Sequence, residues 1–271
     1  MKIYHTPSAV VVQTERRCFE PRDFSFDQLF RQPEPAAWLR ERLREGGQGR
    51  IPESLRPPLE SQEVWAAGVT YSRSREARME ESKREADIYD RVYEAPRPEL
   101  FFKATPHRVA GHGGAVRIRA DSHWNVPEAE LALAINREGR IFGYSIGNDM
   151  SSRSLEGDNP LYLPQAKIYD GSCALGPCLL IADEPLPPST EIELRIARAG
   201  AEEYRGSTRL SQLRRAPEEL VEYLYRENSF PNGCYLLTGT GIVPPRVFTL
   251  AAGDEIEIVI APVGRLLNRV G

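Results

Sequence analysis

The stretch Val126-Pro-Glu-Ala-Glu-Leu-Ala-Leu-Ala-Ile135 determines the architecture that we expect for this chain. Its alternation favours a β-strand, in which side chains two positions apart point to the same face of the sheet. Glu128 and Glu130 stand two positions apart, so their carboxylates are expected to converge. Solvated acids are also common on protein surfaces, so the pair by itself is a weak indication of a site.

A third acid lies within reach if the chain folds back. Asp149 ends the run Tyr144-Ser-Ile-Gly-Asn-Asp149, which follows the turn Asn136-Arg-Glu-Gly139. If the two apolar runs pair as a hairpin, Asp149 returns to the two glutamates. Three clustered carboxylates repel one another unless a cation binds among them, and an all-oxygen set suits Mg2+, Mn2+ or Ca2+. Lys167 is then available to act on a bound molecule.

Composition places the chain among ordinary globular proteins and argues against several partners. Of its 271 residues, 41% are hydrophobic and 27% charged, and the formal net charge is -4. This charge offers no reason to expect nucleic acid or an anionic membrane as a partner. Apolar stretches stay short of the roughly 20 residues that span a bilayer, and the N-terminus has no signal-peptide pattern. We expect a cytoplasmic protein whose four cysteines are free thiols: Cys18, Cys173, Cys178 and Cys234.

Two units are predicted along the chain. Residues 1–60 combine short apolar strands with helical patterns, such as Ala36-Ala-Trp-Leu-Arg-Glu-Arg-Leu43, and end in glycine- and proline-rich sequence. Residues 61–271 hold many short β-like runs, of which Glu255-Ile-Glu-Ile-Val-Ile260 alternates as a half-exposed strand does. The expected class is α+β and mostly β: a small N-terminal α/β domain before a larger mixed β-roll or distorted barrel.

Two helices are predicted inside the larger unit. Residues 73–93 are dense in alternating charge and short of apolar residues, which favours a surface helix. The segment Ala216-Pro-Glu-Glu-Leu-Val-Glu-Tyr-Leu224 has proline in its first turn, acids next and then an apolar stripe. That order is typical of a helix start.

Six short motifs of the larger unit follow one another in a specific order. They are Glu128-Ala-Glu130, Asp149-Met-Ser-Ser-Arg153, Ala166-Lys167, Gly176-Pro177, Leu237-Thr-Gly-Thr240 and Gly253-Asp-Glu-Ile-Glu-Ile258. This ordered set resembles the fumarylacetoacetate hydrolase family over about residues 60–271. Three further stretches are most similar to its 2-keto-3-deoxy-D-arabinonate dehydratase branch: Ala67–Tyr71, Arg97–Pro106 and Leu155–Tyr169.

One departure from the wider family concerns water activation. Hydrolases of the family carry a histidine and a glutamate after a Gly-x-Asn-Tyr motif, and these activate a water for cleavage of a carbon–carbon bond. In this chain Ser74 and Ala77 stand at those two positions. The base that would make hydroxide is therefore missing, which argues against diketone hydrolysis and favours proton transfers at the substrate.

The resemblance implies a metal site and two catalytic residues. Glu128, Glu130 and Asp149 would bind one divalent cation, Mg2+ in the first instance, with Mn2+ or Ca2+ as alternatives. A 2-oxo acid would chelate this ion, and the enolate formed when a C3 proton leaves would be stabilised. Our hypothesis gives the C3 proton to Lys167 and protonation of the departing C4 hydroxyl to Glu99. Their roles could be exchanged, and the sequence does not decide between the two assignments.

The resemblance also implies residues that contact or frame the substrate. Thr240 would hold the substrate carboxylate through its hydroxyl and backbone N–H, although a plain glycine turn between strands is the alternative for Thr238-Gly-Thr240. Arg153 would orient the metal-site acids beside the substrate, although an ordinary surface ion pair is the alternative reading. The charged stretch 73–93 lies where the family has a mobile cover, from which Arg91, Arg73 or Tyr89 would reach substrate hydroxyls. A solvated helix face is the alternative for that stretch.

These residues lead to a ranked set of functions. The first is a Mg2+-dependent lyase that dehydrates a 2-keto-3-deoxy sugar acid, with a pentonate giving 2,5-dioxopentanoate. The second is an acylpyruvate hydrolase or oxaloacetate decarboxylase of the same family. The third is a non-catalytic binding protein whose strands are held together by a metal ion. The partner expected is a small 2-oxo acid, and the resemblance implies a homodimer or homotetramer.

Overall fold

The computed structural model describes residues 1–15, 17–45, 47–74 and 86–271. Strands dominate the described chain. Their bounds are, in order, β1 Lys2–His5, β2 Val10–Gln13, β3 Cys18–Glu20, β4 Gly47–Gln48, β5 Glu63–Gly68, β6 Glu99–Ala104, β7 Val109–Ala110, β8 Ala115–Val116, β9 Asn125–Val126, β10 Ala129–Ile135, β11 Ile141–Asp149, β12 Ser151–Ser152, β13 Cys173–Ile181, β14 Glu191–Arg198, β15 Ala201–Arg209, β16 Cys234–Leu237, β17 Glu255–Ile260 and β18 Gly264–Val270.

The α-helices assigned within the described chain are few and short. They are α1 Phe26–Phe30, α2 Pro35–Arg42, α3 Ala86–Glu94, α4 Arg153–Asp158, α5 Leu163–Lys167 and α6 Pro217–Tyr225. The predicted helix near residue 216 is confirmed as α6, which starts at Pro217 and carries acids in its first turn. None of the helices in the described chain has the length and apolar character needed to cross a bilayer.

The strands form one large mixed sheet and one smaller sheet. The large sheet runs in the order β4-β3-β2-β1-β13-β11-β10-β16-β5-β6, and β7 adds to β13 beside this path. The smaller sheet runs β15-β14-β17-β18-β8, and β12 pairs with β9. The expected α+β, mostly β class is confirmed. Across the described strands both sheets are open, with edges at β4 and β6 in the larger one.

Strand β10 lies near the middle of the large sheet and is buried on both faces. Its odd-numbered residues, such as Leu133, share a core with residues of the smaller sheet, including Leu194 and Ile258. Its even-numbered residues Ala132 and Ala134 belong to a second core with Phe30 from α1. Because side chains alternate across a strand, each face of β10 meets a different layer. The strand is therefore held rigidly from both sides.

The N-terminal segment extends the large sheet. Strand β1 pairs with β13, with Lys2 opposite Leu180, and β2 to β4 continue outward from β1. Helix α1 begins where the Ser25 side chain accepts the N–H of Gln28, and it buries Phe26 against the sheet. The domain boundary at residue 60 stays a prediction. The pairing with β13 and the packing of α1 against β10 give residues 1–60 a structural role in the large sheet.

The predicted charged helix over residues 73–93 is described only in part. Helix α3 covers its C-terminal end, and residues 75–85 lie outside the described chain.

One buried ion pair of the smaller sheet gives a stability prediction. The fully buried side chain of Asp254 accepts two hydrogen bonds of 2.8 Å from Arg198 and one of 2.9 Å from the N–H of Ala251. Burial acts to raise the pKa of Asp254, but these donors together outweigh burial, so the pKa lies below the ordinary 3.8. We expect Asp254→Asn to lose about 1.5–3 kcal/mol of unfolding free energy at pH 7 in urea titrations.

The effect should depend on pH in one direction. Because the folded-state pKa is lowered, the stabilisation is present above pH 3.8 and is lost as the pH falls through the folded-state value. The difference between Asp254→Asn and wild type should therefore shrink below pH 3.8. The exposed Glu202→Gln on the same sheet is the control, with a much smaller effect at pH 7. A difference of the same size at pH 7 and below pH 3.8 would contradict the prediction.

Candidate active site

The hairpin of β10 and β11 brings the three acids together. Glu128 and Asp149 exchange backbone hydrogen bonds of 3.2 and 3.0 Å, so they lie directly opposite each other. Glu130 follows two residues along, opposite Gly147, on the same face. Carboxylate oxygens of the three acids lie within 4.8 Å of one another, and all three side chains are buried. The hairpin expected from the sequence is confirmed.

Glu130 lies in the least compensated position of the cluster. Burial raises its pKa well above the ordinary value, and the neighbouring carboxylates of Asp149 and Glu128 raise it further. Opposing this shift are Lys167 and the N–H of Gly239, which donates to Glu130 Oε2 at 2.5 Å. Gly239 has φ +88°, a conformation that favours glycine. Burial and the neighbouring carboxylates therefore both disfavour an ionised Glu130, and a cation beside it would oppose them.

Three cationic side chains surround the acids. Lys167 Nζ lies 3.0 Å from both Glu128 Oε2 and Asp149 Oδ2. Arg153 contacts the other oxygen of Glu128 at 3.0 Å, and Lys103 Nζ lies 2.5 Å from Asp149 Oδ1. Each of these cations is almost completely buried. The structure thus places Arg153 in a buried contact with a cluster acid and not in a surface ion pair.

A narrow pocket opens beside this cluster. Its wall includes Lys167, Glu99 and Thr240, so the pocket brings both predicted catalytic residues together with the predicted carboxylate holder. Lys167 Nζ lies 5.7 Å from the centre of the Phe101 ring, which forms an apolar wall on that side. Glu99 packs against Gly68, where a Cβ atom would lie 2.1 Å from Glu99 Oε2. The lack of a side chain at Gly68 therefore gives Glu99 its room.

The residues predicted to contact the substrate differ in their position relative to the pocket. The Thr240 hydroxyl donates to Ile242 O at 3.3 Å, and its side chain is buried in the pocket wall. Arg91 is exposed on α3 and is not among the described residues that line the pocket. Arg73 is exposed, and the side chain of Tyr89 lies outside the described part. The roles assigned to these residues stay predictions.

Two site residues were missed by sequence reasoning. Lys103 contacts Asp149 from β6, and its signal was a charged residue inside the apolar run Leu100-Phe-Phe-Lys-Ala104. Glu156 lines the pocket from α4, buried, and accepts a hydrogen bond of 3.1 Å from Ser151 Oγ. It stands three residues after Arg153, which places both on one helix face.

Ser74 also reaches the pocket wall. Its hydroxyl donates to Tyr71 O at 2.8 Å, so it closes a local turn. A serine hydroxyl in this contact offers no base comparable to an imidazole. The position of Ala77 lies outside the described residues.

Comparison with known proteins agrees with this architecture. Residues 63–271 match the sequence profile of the fumarylacetoacetate (FAA) hydrolase C-terminal domain. The chain belongs to the fumarylacetoacetate hydrolase family.

Two curated members of the family are similar over most of their length. A probable 2-keto-3-deoxyxylonate dehydratase of Haloferax volcanii is 48% identical over 214 residues, 79% of this chain and 73% of the relative. A 2-dehydro-3-deoxy-D-arabinonate dehydratase of Saccharolobus solfataricus is 46% identical over 217 residues, with the same two coverages. A solved structure of 2-keto-3-deoxy-D-arabinonate dehydratase complexed with magnesium and 2,5-dioxopentanoate has a TM-score of 0.84 at 34% identity. The match covers 100% of this chain and 98% of that structure's chain.

The acids of this family member fit a divalent cation. Three carboxylates supply only hard oxygen donors, which is the ligand type that Mg2+ and Ca2+ prefer. Their oxygens already converge, and burial together with the neighbouring carboxylates of Asp149 and Glu128 raises the pKa of Glu130. A bound ion would relieve the repulsion among Glu128, Glu130 and Asp149.

The contact between Gly68 and Glu99 gives a second prediction. In Gly68→Ala the new Cβ should push the Glu99 carboxylate out of the pocket, because the end of a flexible side chain yields before the backbone does. A crystal structure of the variant measures the displacement. Gly157→Ala on α4 is the matched control, since a Cβ there meets no atom within 4 Å. An unmoved Glu99 carboxylate in Gly68→Ala would refute the prediction.

Proposed function

We propose that this protein is a Mg2+-dependent dehydratase of a 2-keto-3-deoxy sugar acid, converting a pentonate to 2,5-dioxopentanoate. The observation that carries the proposal is that one pocket holds Lys167 and Glu99 beside a carboxylate cluster suited to a divalent ion. The names of the two relatives and the ligands of the solved neighbour support the same reaction. Glu128, Glu130 and Asp149 would hold the ion.

The charge of the site suits an anionic substrate. Lys167, Arg153 and Lys103 balance the three acids of the cluster one for one. As the proposed base, Lys167 is neutral, so a bound divalent ion would leave this cluster with one excess positive charge. A 2-oxo acid brings one carboxylate to match it, and the negative charge that develops on the carbonyl oxygen is matched by the positive charge that Lys167 gains with the C3 proton.

Two proton transfers by the protein account for the dehydration. When bound, the cation supplies Lewis-acid polarisation of the C2 carbonyl. Lys167 takes the C3 proton, and Glu99 gives a proton to the C4 hydroxyl, which leaves as water. The C3–C4 double bond that remains shifts by proton movement to a C5 enol, which ketonises to the aldehyde. The overall change is the loss of one water.

Other residues of the pocket hold the substrate and limit side reactions. Thr240 would hold the carboxylate, and the buried Glu156 would accept a hydrogen bond from a substrate hydroxyl. The Phe101 ring forms an apolar wall 5.7 Å from Lys167 Nζ. Ser74 supplies no base for hydroxide, which disfavours hydrolysis of a carbon–carbon bond.

A turnover assay tests the proposed function. We expect 2-keto-3-deoxy-D-arabinonate to give 2,5-dioxopentanoate with Mg2+ present, and we expect chelation to abolish the reaction. Restored Mg2+ should restore it. Release of pyruvate from oxaloacetate or an acylpyruvate, with no aldehyde from the sugar acid, would instead support the second function inferred from the sequence.

Solvent exchange separates the two proton transfers. In deuterium oxide, Glu99→Gln should still exchange the C3 proton of unreacted substrate while its dehydration rate falls by about 100-fold or more. Lys167→Met should lose both reactions. Proton NMR of the substrate follows C3 directly. Exchange that survives in Lys167→Met and disappears in Glu99→Gln would reverse the two assignments.

The proposal also covers the compartment, the oligomeric state and the domain division of the enzyme. We propose a cytoplasmic homodimer or homotetramer, with residues 1–60 as a small N-terminal domain. The four free cysteines support a reducing compartment. The exposed Leu161 and Tyr162 beside α5 offer apolar surface for a second copy. Sedimentation of the purified protein measures the assembly.

A further inference from the structure

Lys103 is a fully buried charged residue to which the reaction assigns no proton transfer. It lies on β6, with no exposed side-chain surface. A buried ammonium without partners is costly, so its contacts should account for its presence. Lys103 and Lys167 both contact the Asp149 carboxylate, but Lys103 also donates to two main-chain carbonyl oxygens.

The ammonium of Lys103 contacts three residues that are distant from it in sequence. It donates to Met150 O at 3.0 Å and to the main-chain oxygen of Lys167. Asp149 Oδ1 lies 2.5 Å away in an ion pair. Asp149 is the last residue of β11, Met150 follows it, and Lys167 is the last residue of α5. One nitrogen therefore connects a predicted metal ligand to the backbone that carries the predicted base.

We propose that Lys103 is a positioning residue, which holds Asp149 and the C-terminal end of α5 in the arrangement that the reaction needs. The inference rests on the proposed function. Asp149 Oδ2 already meets Lys167 Nζ, so Lys103 fixes the opposite carboxylate oxygen. Fixing both oxygens sets the plane of the carboxylate. The bond to Lys167 O sets the position from which that side chain enters the pocket.

Lys167 provides the matched comparison. Its ammonium contacts the side chains of Glu128 and Asp149 and lies 3.0 Å from each. Removing Lys167 takes one positive charge from the cluster and frees Glu128 Oε2 and Asp149 Oδ2, but leaves the contacts of Lys103 in place. Removing Lys103 takes the same charge and also releases two carbonyl oxygens and Asp149. Both substitutions remove one positive charge and one contact with Asp149. Only the loss of Lys103 also releases the main-chain oxygens of Met150 and Lys167.

Binding of Mg2+ to the protein without substrate distinguishes charge from positioning. We expect Lys167→Met to bind Mg2+ at least as tightly as wild type in calorimetric titrations, because a repelling cation is gone. We expect Lys103→Met to bind Mg2+ with an affinity at least about tenfold lower than that of wild type, because the Asp149 carboxylate loses its contact with Lys103. Its kcat should fall with little change in KM. Thermal unfolding verifies that each variant is folded.

Other outcomes of the Mg2+ titrations would also decide whether Lys103 is a positioning residue. If Lys103→Met binds Mg2+ as tightly as Lys167→Met, Lys103 acts through charge alone and the inference is overturned. If Lys103→Met does not fold, Lys103→Arg replaces it, since a guanidinium keeps the charge but cannot direct one nitrogen at three acceptors. Wild-type affinity in Lys103→Arg would overturn the inference, and weakened binding would support it.

Failure of the proposed function would be recognised separately. If wild-type protein binds no Mg2+, the proposed metal site is wrong whatever the variants do. The crystal structure of the folded Lys103 variant then decides the positioning role. A displaced Asp149 side chain and α5 end would support it, and an unmoved pair would overturn it.

Discussion

Three carboxylates buried within a few ångströms of one another need compensating charge, and much of the site follows from that requirement. The charges come from three places in the chain: β6 supplies Lys103, α4 supplies Arg153 and α5 supplies Lys167. Each is buried, so each contact acts in a medium of low polarity. The acids and cations therefore hold these elements together as well as preparing a site for a metal.

The two cores explain how such a charged cluster is tolerated. Strand β10 is packed on one face by residues of the smaller sheet and on the other by the N-terminal helices. The acids lie at its start, where the packed strand gives way to the pocket. A rigid strand pair sets the distances among Glu128, Glu130 and Asp149, because opposite residues of a hairpin are fixed by the ladder. Residues 1–60 thus contribute to the site through packing.

The pocket combines a general frame for a 2-oxo acid with features that suit a hydroxylated substrate. The carboxylate cluster and Thr240 form the end that would hold the oxo acid. The same wall holds Glu99, the proposed proton donor, and Glu156, an acceptor. Gly68 makes the placement of Glu99 possible, since any side chain there would occupy its space. The absence of a side chain at Gly68 thus determines where the Glu99 carboxylate can lie.

The sequence by itself determined the local features of this protein. A period of two placed Glu128 and Glu130 on one face, and the turn before β11 returned Asp149 to them, because these are short-range properties of a hairpin. The same local reasoning found helix α6 and the mostly β class. Lys167 and Glu99 came from ordered motifs and not from geometry, and they share the pocket.

Only the tertiary structure decided which distant groups complete the cluster. Lys103 lies in an apolar run, and its spacing from Asp149 contains no indication of a contact. The pairing of β5 with β6 and the path of α5 bring it there. The same applies to Gly68 beneath Glu99 and to Glu156 in the pocket wall. Contacts between separate elements depend on how the whole chain packs, and a local pattern cannot encode that packing.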